Sequence, residues 1–403
     1  MRVAVVGSGI SGLGAAYVLA RVHQVEVFER EGYAGGHTRT IRRGGLAFDT
    51  GFLVHNEPNY PLLTRLFREL GVRTQRAEMS FSVSCRCGLE YSGRRPFAQP
   101  RRAVDPAFLR LLWELGRWLR TARPSLERLD AEAWSLRRFV DALGFSERFR
   151  RHFLVPLASA LWSTAPGHAL DLPAAATVRF FDNHGLLGRR GRPAWRYVTG
   201  GCDTYVAELG RVLGDRVRLD AAVRAVRRDA DGVELVTVGG ERRRFDKVVL
   251  ATHADDALAL LDDPSDEERR LLGAFTYAAN DVVLHTDASR LPRTRAARAS
   301  WNYRIGDDDR ATLTYSLNRL QSIEGDVEYC VTLNEEIAEE HVIDRTILRH
   351  PQFTVAAAAA QRELPALSGR RHTLYAGAHH GNGFHEDGLA SGVRAAELLG
   401  VTW

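Results

Sequence analysis

The residues best suited to chemistry in this chain lie at its two ends. Near the start, Gly7-Ser8-Gly9-Ile10-Ser11-Gly12 is a glycine-rich string, and Glu29 follows seventeen residues after Gly12. Set between a strand and a helix, such a string turns free backbone N–H groups toward an anion at the positive end of the helix dipole. Gly7 suits the tight turn, Gly9 lets a pyrophosphate approach the backbone, and Gly12 lets helix and strand pack closely. Glu29, with Arg30 beside it, stands where a carboxylate accepts a bond from a ribose 2′-OH, and its charge argues against a 2′-phosphate. Near the other end, His385-Glu386-Asp387 offers an acid/base and two carboxylates. His385 suits proton transfer or holding a substrate head, Glu386 suits orienting it, and both carboxylates suit a ligand's hydroxyls or a helix cap. His379, His380 and His55-Asn56 carry similar chemistry without a fixed partner.

The elements that must position these groups are readable around them. Arg2 to Val6 is a short, almost uninterrupted apolar run, the mark of a strand buried on both faces of a parallel sheet. Ser11 to Val22 has helical spacing and Gln24 to Phe28 reads as the next strand. Lys247 to Thr252 and Thr373 to Gly377 read as further parallel strands, the second running through Gly377 into a helix that starts at Gly388-Leu389. Short strands between Val217 and Phe245 read as a meander. Tyr277 to Thr286, Ala299 to Tyr303, Thr312 to Leu317 and Tyr329 to Thr332 read as an antiparallel sheet. Trp301, Asn302, Tyr303, Tyr315 and Asn318 fall on those strands, with about half expected to face a ligand. Pro61 to Leu70, Phe108 to Leu119, Phe149 to Trp162 and Ala174 to Phe181 read as helices, and Ser80 to Tyr91 as a hairpin.

With 403 residues, 45% hydrophobic and 26% charged, the composition is that of an ordinary globular protein. No apolar run approaches a membrane span, and the chain enters a strand at once, which predicts no signal peptide and a cytoplasmic protein. Net charge is +5, carried by arginine; Lys247 is the only lysine. No nucleic-acid-binding signature appears. The histidines lack ligand spacing, and Cys85 and Cys87 find no third ligand along the sequence. No metal site is expected; the two cysteines read as one face of a strand.

After Glu29 come Gly35-Gly36-His37-Thr38 and then Asp49-Thr50-Gly51. Here the chain resembles the superfamily of FAD-dependent amine oxidases and phytoene desaturases. That resemblance implies FAD, with Gly35, Gly36, His37 and Thr38 near the flavin, the backbone at Val223 against adenine, and the second strand–turn–helix at Gly377, Gly388 and Leu389 holding pyrophosphate and ribityl chain. Where many members have Asp after the strand's Ala-Gly, this chain has Ala378, so ribityl binding must lean on a backbone amide or Asp387. The implied fold is α/β: a two-lobed flavoprotein with a discontinuous Rossmann-like FAD-binding domain (residues 1–60, 195–272 and 365–403) and an α+β substrate domain (61–194 and 273–364).

Four strings carry a narrower resemblance: Phe181 to Leu187, Ser300 to Tyr303, Thr314 to Gln321 and Gly383 to Gly388. They are similar to bacterial FAD oxidoreductases associated with cyclopropane-fatty-acid synthases. This implies hydride abstraction from a fatty acyl chain, giving desaturation or double-bond isomerisation, with His385 and Glu386 as catalytic candidates and a lipid methyltransferase as a partner. Two other readings stand beside it. One is an amine oxidase, against which Lys247 counts: many such enzymes set a lysine near the flavin, and this one begins a nucleotide-lobe strand. The other is a non-catalytic FAD-bound scaffold. An enzyme acting on membrane acyl chains must also touch the bilayer; Arg94 to Arg102 and the Phe108 to Leu119 helix, with Trp113 and Trp118, are the expected surface.

Overall fold

The computed structural model describes residues 1–188, 192–306 and 310–403. At its centre five parallel strands lie in the order Val217–Arg218, Gln24–Phe28, Arg2–Val6, Lys247–Leu250, Thr373–Tyr375. Val5 sits in register between Val27 and Val249, and all three are buried. A central parallel strand has covered faces on both sides, which is why it carries no polar alternation.

The first helix (Ile10–Leu19) and the last (His385–Leu398) cover one face and press against each other. A Cβ at Gly392 would lie 2.1 Å from the Ser11 carbonyl oxygen. Only a residue without one lets the two backbones meet. On the other face lies the meander Val223–Arg228, Val233–Thr237, Arg242–Phe245. Arg228 is pinned there, its guanidinium donating to Glu268 at 2.5 and 3.0 Å, while Tyr375 Oη donates to the same carboxylate at 2.6 Å.

The second sheet has seven strands, in the order Val342–Gln352, Thr276–His285, Cys330–Leu333, Thr312–Ser316, Trp301–Ile305, Phe81–Cys85, Glu90–Ser92. The four strands expected to pair antiparallel do so, and the hairpin from Phe81 joins their edge, with Phe81–Cys85 parallel to Trp301–Ile305. Val342–Gln352 adds an edge strand that Asp344, Arg345, Arg349 and His350 hide from any apolar pattern.

The helix Pro106–Thr121 starts at Asp105, whose carboxylate accepts from the Ala107 and Phe108 amides at 3.0 and 3.3 Å. Trp118 is not at the surface as expected; it is fully buried against Phe139, Phe145 and Phe149, whereas Trp113 is 59% exposed. The Phe149 to Trp162 helix is interrupted by a widened turn, Arg150–Leu154, before Val155–Trp162. Pro156 explains it: lacking an N–H, it leaves the His152 carbonyl without its helical donor, and Tyr91 Oη donates there instead at 2.6 Å.

Candidate active site

A cavity of about 1570 Å³ runs from the first glycine turn, between the sheets, into the helical region 97–162. That is more than one site of the usual ~300–1,000 Å³ range holds, and suits two occupants end to end.

At the nucleotide end, Gly7 has φ +100°, and its amide donates to the Phe28 carbonyl at 2.8 Å. A Cβ at Gly12 would sit 1.9 Å from the Gly7 carbonyl oxygen, whereas one at Gly9 would meet nothing within 4 Å. The first helix has no capping side chain and no acid in its first turn, so its N-terminal amides face the cavity unneutralised. Glu29 accepts from the Ser8 amide (2.9 Å), Ser8 Oγ (2.6 Å) and the Glu31 amide (3.0 Å). Of a carboxylate's roughly four lone-pair positions, that leaves one for a ribose hydroxyl. Gly7, Gly9, Ser11, Glu29, Arg30, Gly35, Gly36, His37, Val223 and Gly377 all line the cavity. The uncapped helix, the open surface at Gly9 and the fixed Glu29 fit the diphosphate and ribose of FAD.

The remaining predicted cofactor residues stand behind this wall. Leu389 is buried against Gly14, and Gly388 lies against Ser11 and Ile10. Asp387 accepts from the Phe384 amide at 3.0 Å, which makes it the last helix's own cap. Thr38 is buried beside Tyr205 and His385.

His385 lines the cavity, its ring stacked on Phe52 at 3.9 Å and 9°. Its Nε2 lies 2.7 Å from Tyr205 Oη and 3.0 Å from Thr38 Oγ1, and those two oxygens are themselves hydrogen-bonded. Burial, then His37 and His55, push its pKa down to about 3, so at neutral pH it is an uncharged imidazole with one nitrogen committed. The expected pairing with Glu386 is absent. That carboxylate accepts instead from the Leu62 and Leu63 amides at 2.8 and 3.0 Å, capping the helix Pro61–Glu69. Pro61 opens that helix without a side-chain cap of its own, so a carboxylate from elsewhere satisfies its free amides. Tyr205 carried no signal in the sequence beyond an apolar helix face.

His37, His253 and His350 form a ring cluster on the same wall, with centroids 5.5–5.7 Å from His37. Burial lowers all three, His253 and His350 to about 3. Beside them Arg349 holds Asp255 and Asp256. Trp301 and Tyr315 face the cavity, and His379 lines it too. Asn302 is bonded to Ser82 and Tyr303 is core; Asn318 closes a local loop onto Val327. His55 is buried and His380 half-buried, both outside the lining. Asp49, leading in toward Gly51, is buried and accepts from the Cys202 amide at 2.8 Å; burial raises its pKa to about 6. Lys247 lies away from the cavity, 3.1 Å from His372 Nδ1. Cys85 and Cys87 do meet a third potential ligand: the fold brings His152 Nε2 to 3.6 Å from Cys87 Sγ, which no spacing along the chain announces.

Residues 10–320 match the family of flavin containing amine oxidoreductases. The chain belongs to that family. A putative flavin-containing monoamine oxidase, AofH, of Mycobacterium tuberculosis is 29% identical over 255 residues, 59% of this chain and 54% of that protein. The chain thus spans about half the length of this relative. The mitochondrial protoporphyrinogen oxidase of Nicotiana tabacum is 46% identical over 74 residues, 18% of this chain and 14% of that one. Among solved structures, a putrescine oxidase double mutant superposes with a TM-score of 0.75 at 16% identity, covering 99% of both chains. A CLA-producing fatty acid isomerase from P. acnes does so at 0.72 and 17%, covering 99% and 98%. These two likenesses concern the fold. FAD is the cofactor this family and this cavity share.

Proposed function

We propose that this family member is an FAD-dependent oxidoreductase that removes hydride from a fatty acyl chain, leading to desaturation or double-bond isomerisation. The observation that carries the reading is the lining of the cavity beyond His385. There Met79, Phe81, Phe97, Leu112, Leu115, Leu119, Phe153, Leu157 and Leu161 make an apolar arm. Among the described residues, the acidic side chains lining the cavity are Glu29 and Glu31 at the nucleotide end and Asp256, which Arg349 neutralises. No carboxylate waits in the arm for an ammonium group. Arg76, Arg94 and Arg192 line it and are solvent-exposed, which suits an anionic head group left outside while the chain enters.

Bound FAD supplies the hydride acceptor. The chain's own residues hold the substrate and exclude water: the arm aligns one acyl carbon, and stacked Phe52 and His385 line the cavity. His385 is the proton-handling candidate through the ring nitrogen not bonded to Tyr205 and Thr38. The fatty acid isomerase of the same fold and the four strings similar to cyclopropane-synthase-associated oxidoreductases support the acyl reading. So does the absence of any lysine other than Lys247.

The surface beside the arm suits a membrane source for that chain. Phe97, Val104, Leu109 and Trp113 are exposed among Arg94, Arg95, Arg101 and Arg110. Comparing lipid extracts of cells with and without the gene by mass spectrometry tests the proposal. Gain of a double bond, or a shift in its position, is expected. Identical acyl profiles together with amines accumulating in the deletion strain would favour the amine oxidase reading instead.

A further inference from the structure

Cys85 closes the strand Phe81–Cys85, Cys87 stands in the turn that follows, and His152 comes from the widened helical turn 65 residues along the chain. Their three ligand atoms lie within 4.8 Å of one another. A tetrahedral zinc ion with Zn–S of ~2.3 Å and Zn–N of ~2.0–2.1 Å separates sulfur from nitrogen by about 3.6 Å. The Cys87 Sγ to His152 Nε2 distance is 3.6 Å.

The surroundings are those of a ligand set already oriented. His152 Nδ1 lies 3.2 Å from the Arg148 carbonyl, which takes the ring N–H and leaves the Nε2 lone pair aimed at the sulfurs. The Cys87 amide donates to Cys85 Sγ at 3.2 Å, which fixes that sulfur against the turn. The turn itself is tied down at the Gly88 carbonyl by Gln99 Nε2 (3.1 Å) and Arg102 Nη2 (3.0 Å). Cys85 and His152 are buried and Cys87 is exposed, so a fourth ligand would enter from solvent. None of the three residues lines the large cavity. By contrast, the carboxylates of the other potential cluster, His253 with Asp255 and Asp256, are occupied by Arg349.

We propose that Cys85, Cys87 and His152 form a zinc site, with water in the fourth position, that clips the Phe81–Ser92 hairpin to the helical turn. Two thiolates balance the ion's charge, and sulfur with imidazole selects zinc over magnesium or calcium. The clip would stiffen one wall of the cavity, because Tyr91, which donates to the His152 carbonyl, and Phe153, next along the chain, both line it.

The test uses the reduced, full-length flavoprotein titrated first with Co²⁺ and then with Zn²⁺. The expected result is a thiolate-to-cobalt charge-transfer band and d–d bands at longer wavelength than the flavin's, saturating at about one equivalent and erased by zinc. Cys87→Ser, at an exposed turn position, should keep its FAD and helical content yet bind zinc at least about tenfold more weakly; His152→Gln should do the same. No charge-transfer band from folded, reduced protein at stoichiometric cobalt would overturn the proposal. So would bands unchanged in the folded Cys87→Ser variant.

Discussion

Among single residues, His385 carries the proposed chemistry. Its Nε2 is held by Tyr205 and Thr38, and its pKa of about 3 makes it neutral across the working pH range. His385→Ala should therefore leave FAD bound, since the glycine turn and Glu29 proposed to hold its diphosphate and ribose are other parts of the cavity wall. It should slow flavin reduction by substrate roughly 10²–10⁴-fold, the scale of a lost acid/base group, as read by anaerobic stopped flow. An unchanged reduction rate would leave His385 a packing residue. The geometry at the glycines and Glu29 was legible in the sequence because it is local: a turn, an uncapped helix and a strand end define it. His385 was legible as a chemical group but its partners were not. Tyr205 and Thr38 are 180 and 347 residues away, and Glu386, the neighbour in sequence, points its carboxylate at another helix.

Between elements, the buried Arg228–Glu268 pair joins the meander, the helix Asp266–Leu272 and the strand Thr373–Tyr375. The Arg228 side chain is 1% exposed and that of Glu268 6%, so removing one partner strands a charge away from water. Glu268→Ala should destabilise the protein by roughly 3–5 kcal/mol in urea unfolding. Replacing both residues with apolar ones should cost much less. A small loss from the single change would mean that water reaches Arg228. Elements with one face or none exposed were readable from periodicity, as in Arg2–Val6 and Pro106–Thr121. Val342–Gln352 was not, because it is an edge strand whose charged residues pair with other side chains rather than mark a core face. The break near Pro156 depends on Tyr91 to replace the missing donor, a contact that no local rule contains.

Across the whole molecule, buried and half-buried histidines should set the acid limit. His55, His253, His285, His350, His380 and His385 are held at about 3 to 4, below the ordinary 6.5, with burial the leading cause in each. Below pH 6.5 the unfolded chain binds protons that the folded one refuses, so this stability is present above 6.5 and falls as pH drops toward 4. Asp49 acts in the opposite sense: its folded pKa is about 6 against 3.8, so its contribution is lost as pH rises through 6. Glu386 and Asp387, also raised by burial, act with Asp49; six histidines outweigh these three carboxyls, and stability should fall by several kcal/mol in all between about pH 6 and 4. Urea midpoints measured across that range check this, and a flat profile would contradict it.

The same scale governs access to substrate. Among the described residues no helix is long and apolar enough to cross a membrane; the proposed acyl substrate would reach the cavity through the exposed surface beside the apolar arm. Co-sedimentation with anionic vesicles should weaken when Arg94, Arg95 and Arg101 are neutralised and Trp113 is replaced by Ala. Binding that survives both changes would place the contact elsewhere.

The measurement closest to the central claim is anaerobic mixing of the oxidised flavoprotein with either an unsaturated or methyl-branched phospholipid or a panel of primary and secondary amines, following the flavin absorbance. The account predicts bleaching by the lipid and none by the amines, with His385→Ala slowing the lipid reaction. Bleaching by an amine and by no lipid would contradict it.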